Sequence, residues 1–163
     1  MNRKVTSIVV GAGLLILVVA ASLLFKNKVH FVDSDPALDV ANEFFSDLKK
    51  GESLKAFELY SSEFRAGQGE QWKQFLANVQ TPLGTVVSYT LTKGHVVPVE
   101  RLGCYALEYR VERVHVNSDE GMVVCPAKSR PSWAIVGHWL VRADTGQRVS
   151  AGITPVEVGV QVP

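Results

Sequence analysis

The chain has 163 residues, a formal net charge of +1 and two cysteines. Its 17 Lys and Arg are matched by 16 Asp and Glu, which argues against nucleic acid as a partner, since that needs a concentrated basic patch. The length allows one domain with one modest core.

Residues Val5 to Phe25 form an unbroken, uncharged, apolar run. At about 1.5 Å per residue, a helix of that length crosses the ~30 Å hydrocarbon core of a bilayer. The expected organisation is a cytoplasmic N-terminus over residues 1–4, a transmembrane anchor over 5–25, a stalk over 26–34, a folded domain over 35–154 and an extended tail over 155–163. Arg3 and Lys4 before the run nearly balance Lys26 and Lys28 after it, and the N-terminal amine tips the orientation toward an exported domain. A cleaved signal peptide is one alternative, because Val19 to Ser22 are small. A cytoplasmic domain on an inverted anchor is another. The run continues through Leu23, Leu24 and Phe25, longer than the usual ~7–15-residue signal core, which favours the uncleaved anchor. Beyond residue 28 the chain carries a net −3, and the acidic residues between Asp33 and Glu63 would be repelled by anionic lipid.

Asp35 caps a first helix with Pro36 at its first position. Leu38, Ala41, Phe44, Phe45 and Leu48 share one face, and Gly51 stops the helix. Ser53 caps a short second helix carrying Leu54, Phe57 and Tyr60. Residues 66–69, Ala-Gly-Gln-Gly, read as a loop. A third helix then carries Trp72, Phe75, Leu76 and Val79 and ends at Thr81-Pro82-Leu83-Gly84.

From there the period becomes alternating. Val87, Tyr89 and Leu91 share one face of a strand. Residues 94–103 form a connection in which Pro98 limits any strand to an edge. Tyr105, Leu107, Tyr109 and Val111 alternate with Ala106, Glu108, Arg110 and Glu112. Residues 117–121 read as a turn, Met122 to Cys125 as a strand, and Trp133 to Arg142 as a strand with Ile135 and Trp139 on one face and His138 on the other. A turn at Asp144-Thr145-Gly146 leads to a last strand, and the tail alternates Val156, Val158, Val160 and Val162 with polar or small residues. Helices followed by a strand meander give an α+β fold, with three helices packed on a curved antiparallel sheet.

An exported domain would favour a disulfide between Cys104 and Cys125, the alternative being two buried thiols. The expected strands set Cys125 opposite Val111 to Arg113, so a bridge requires curvature of the chain.

Helix, helix, helix and then strands resembles the nuclear-transport-factor-2-like superfamily, the cone-shaped α+β (cystatin-like) fold. The local features are Lys50-Gly51 before an aromatic-rich second helix, Trp72 with Phe75-Leu76 leading into Pro82-Leu83-Gly84, and Trp133-Ala134-Ile135-Val136-Gly137-His138-Trp139. They are similar to those of small exported bacterial members of unknown function, over roughly Asp35 to Ala143. One N-terminal span followed by such a domain also looks like the bitopic scaffold subunit of type IV secretion machines. The resemblance implies a bacterial inner-membrane protein with a periplasmic domain that binds a protein partner or a second copy of itself.

The histidines His30, His95, His115 and His138 lack partners at metal-ligand spacing, and no phosphate loop or nucleophile elbow is present. No catalytic, cofactor or metal residue is therefore assigned, and no cofactor is expected. Tyr89, Tyr105, Tyr109, His138 and Trp139 are the residues that would line a cone pocket, with His138 as its acid or base. They also read as ordinary core, and the face Glu108, Arg110, Glu112 as a solvated one. The functional expectation is a membrane-anchored, non-catalytic binding or assembly domain, with a small-ligand binder or an enzyme using the pocket as the alternative.

Overall fold

The computed structural model describes residues 35–99, 102–128 and 132–153. The expected anchor, stalk and tail lie outside the described residues, and among the described residues no helix is long and apolar enough to cross a membrane. The fold is α+β. Helices α1 (Pro36–Lys49), α2 (Ser53–Glu58) and α3 (Ser62–Leu83) precede strands β1 (Val86–Val99), β2 (Leu102–Arg113), β3 (Ser118–Pro126), β4 (Trp133–Arg142) and β5 (Arg148–Gly152). The strands form one curved antiparallel sheet in the order β1-β2-β3-β4-β5.

Helix α1 begins as its sequence requires, with Oδ1 of Asp35 accepting from the amide of Ala37 at 2.9 Å and Pro36 in the first turn. Its buried stripe of Ala37, Val40, Ala41, Phe44, Phe45 and Leu48 packs on the inner sheet face, against Leu107, Tyr109, Val111, Met122, Val124 and Ile135. The residue flanking α2 is Glu52 and not Ser53, and its side chain makes no capping bond to the backbone.

Residues 66–69 are not a loop. Helix α3 runs through them, and Gly69 lies against Phe57, where an added Cβ would stand 3.2 Å from the ring. The helix also continues through Pro82 to Leu83. Residues 96–99 are the edge strand that Pro98 permits, and 94–95 join it to the preceding strand rather than to a loop. β1 is continuous through them, and Pro98 is tolerated because β1 is an edge strand.

Two register differences reshape the sheet. The β2–β3 turn is tighter than its sequence suggests, with Val111 opposite Ser118 and Tyr105 opposite Val124. Cys104 therefore lies beside Cys125, and the two are joined by a disulfide with α-carbons 4.4 Å apart. In β4 the pairing slips between Val123 and Val124, leaving Val136 as an extra residue. The slip reverses the alternation. Ile135 and His138 both face the helices, while Trp139 turns to the opposite face with Val97, Cys104, Ala106, Val123 and Cys125. There it covers Gly121, where an added Cβ would stand 1.9 Å from the indole.

Candidate functional site

A single chain of buried polar side chains crosses the interface between helices and sheet. Tyr60 follows α2, where the chain is pinned to β4. The amide of Ile135 donates to the carbonyl of Leu59 and the amide of Ser61 to the carbonyl of Ile135, both at 2.9 Å. That bridge sets the Tyr60 Oη 2.6 Å from Nδ1 of His138, three residues further along β4. From α3, Nε1 of Trp72 donates to the same Oη at 2.8 Å.

The Tyr60 Oη thus accepts from Trp72 and shares a hydrogen bond with Nδ1 of His138, leaving Nε2 as the free end of the ring. That Nε2 faces Oε2 of Glu120 at 3.5 Å, an electrostatic contact longer than a proper hydrogen bond. The rings of Phe44 and Trp72 meet the imidazole edge-to-face at 5.1 and 5.4 Å and hold its plane.

Glu120 on β3 is the other end of the chain. Its Oε1 accepts from Ser118 Oγ at 2.6 Å and from Nε of Arg113 at 3.1 Å, with Nη2 of Arg113 as a further donor. Arg113 Nη1 reaches the carbonyl of Gly84 at 3.4 Å, tying the β2 end of the chain to the end of α3. Burial pushes the Glu120 carboxyl up. Arg113 outweighs that, helped by His138 and Ser118, and the group is held down at about 2. Burial pushes the Tyr60 hydroxyl well above its ordinary range, although the Trp72 hydrogen bond opposes it.

The relay is sealed. Tyr60 is 0% exposed, His138 1%, Glu120 2% and Arg113 6%. Two surface depressions lie nearby, and neither is lined by His138, Glu120, Arg113 or Tyr60. His138 is thus a buried histidine within a polar chain, reached by neither depression.

Of the five residues expected to line one pocket, Tyr89 and Tyr109 meet each other edge-on at 6.2 Å, while Tyr105 and Trp139 lie elsewhere. Tyr89 stacks on Phe45 at 4.9 Å and Tyr109 tilts against it at 4.8 Å. Tyr105 meets Trp133 at 5.8 Å. Trp139 is on the far sheet face, with Arg148 5.8 Å over its ring. Arg110 pairs with Asp119 at 3.0 Å, and Ser88 donates to Glu112 at 2.6 Å, so that face carries cross-strand contacts. Among the described residues no group of His, Cys, Asp and Glu is placed to hold a metal ion.

Arg113, Ser118 and Glu120 were not expected in the interior. The signal was the parity of β2. Tyr105, Leu107, Tyr109 and Val111 point inward, and Arg113 continues that series. A buried arginine requires a carboxylate, and Glu120 is two residues from Ser118 on the next inward positions of β3.

No family model, curated protein or solved structure matches this chain.

Proposed function

We propose that this chain is a membrane-anchored, exported, non-catalytic binding or assembly domain of the nuclear-transport-factor-2-like, cone-shaped kind, a scaffold subunit of a bacterial envelope complex. The observation that carries the reading is where the titratable groups lie. The convergent set His138, Glu120, Arg113 and Tyr60 is closed to substrate, and its members hold one another rather than a reacting atom. Export is supported by the Cys104–Cys125 disulfide, a bond that persists in oxidising compartments, together with the apolar run over 5–25. Three helices on a curved antiparallel sheet support the superfamily assignment.

The alternative, a small-ligand binder, is favoured by one feature. A cleft of about 620 Å³ opens between Phe64, Val99, Leu102, Val136 and Ile153, with Glu63 and Lys128 among its polar lining. That volume suits a small ligand.

The test uses the intact chain in membranes. A C-terminal reporter active only outside the cytoplasm should give signal, and crosslinking should recover the chain in a complex. Activity from a cytoplasmic reporter instead defeats the topology. A monomer with substrate turnover that is lost when the cleft is blocked by Val136→Trp defeats the non-catalytic reading.

A further inference from the structure

The sheet ends in two edges, β1 and β5. β5 lies across an open groove of about 670 Å³ from α3, with Arg65, Gln68, Trp72 and Phe75 on the helical wall and Val149 and Ser150 on the strand wall. The amide of Gly152 points away from β4 and donates to Oε1 of Gln68 at 2.9 Å. By the two-residue repeat of a strand, the peptide groups of Ser150 and Arg148 turn the same way, toward the free edge. An edge strand beside a helix is the geometry that accepts an added strand, and an edge left open invites pairing.

We propose that this groove receives residues 156–162 of a second copy of the chain as a sixth strand. The proposal rests on the assembly reading and names its partner. The last described residue, Ile153, does not lead into the groove. Gly152 has φ +71°, and the next amide, of Ile153, donates to the carbonyl of Val136 at 3.1 Å. The Ile153 backbone amide faces β4, and its side chain lines the neighbouring cleft and not the groove.

The segment fits the groove chemically. Val156, Val158, Val160 and Val162 give a strand one apolar face, suited to Trp72, Phe75 and Val149. Its single charge, Glu157, then falls on the opposite face of such a strand, the face on which Arg148 of β5 lies over Trp139. Reciprocal exchange of tails closes a two-fold dimer.

The test uses the full-length chain in detergent, with two differently tagged copies. One carries Ser150→Cys, and the other carries single cysteines scanned over 156–162. The expected result is mixed-tag crosslinked dimers that recur at alternate tail positions. Arg148→Glu should raise the dimer dissociation constant about tenfold, and Glu157→Arg in the same chain should restore it. Crosslinking confined to single chains carrying both cysteines overturns the proposal, because the tail then fills its own groove. An oligomeric state unchanged by deletion of 156–163 also overturns it. If that unchanged chain still crosslinks to another envelope protein in membranes, the assembly reading survives. If it crosslinks to nothing, both fail.

Discussion

The Arg113–Glu120 pair shows why a buried charge is tolerated here. Both side chains are 1% exposed, a position that would be strongly unfavourable for either charge alone. Ser118 and the Gly84 carbonyl complete their coordination. Replacing both partners by apolar residues of similar volume is far less harmful than removing one, because the remaining charge keeps its desolvation cost. Arg113→Met should therefore destabilise the domain by about 3–5 kcal/mol. Adding Glu120→Leu to that variant should recover much of the loss. Urea denaturation at neutral pH measures both, and a double variant weaker than Arg113→Met would refute the pairing argument.

Among the elements, α3 is the one on which the interior depends most directly. Trp72 donates to Tyr60, stacks on Phe75 at 4.6 Å and meets His138 edge-on, so a single residue joins the helix to the relay and to the aromatic layer. Trp72→Ala should cost about 3–5 kcal/mol, as for a core aromatic. A denaturation midpoint and slope equal to those of the parent chain would show that the helix does not bury this side. In the sequence the Trp72, Phe75, Leu76 and Val79 stripe of α3 is plain, but Gly67 and Gly69 carry a strong turn signal that masks the first two turns of the helix. Gly69 owes its place to Phe57 across the interface, a neighbour that local pattern does not reveal. The same limitation hid the β4 slip. One extra residue at Val136 exchanged the faces of His138 and Trp139, and nothing in an alternating apolar run marks where such an irregularity falls.

At the scale of the whole molecule, the relay ties stability to pH. The carboxyl of Glu120 is held at about 2 when folded against an ordinary value of 4.5. A depressed folded value means the unfolded chain takes up the proton first. The stabilisation is thus present above about pH 4.5 and is lost as the pH falls toward 2. Tyr60 and Tyr109 have the opposite sign. Burial raises both hydroxyls above 10.0, so their contribution is intact below that pH and is lost as it rises further. Thermal unfolding across the pH range should show an acid shoulder between 4.5 and 2 that Glu120→Gln removes. Persistence of that shoulder in the variant would place the acid sensitivity elsewhere.

What the sequence by itself determined is what local periodicity encodes: the three helices, the strand order, the inward series Tyr105 to Val111 and the α+β class. What only the tertiary structure decided is everything that depends on register and on contacts distant in the chain. The turn assigned to 117–121 is strand from Ser118 onward, because its polar residues look like solvent-facing turn until Arg113 is seen to bury Glu120. That shift alone brings Cys104 beside Cys125. The pairing of Tyr60 with His138 spans 78 residues. Such a contact is set by the α2–β4 bridge and the slip in β4, and neither leaves a periodic trace, since one residue of register moves a side chain from one face of a sheet to the other.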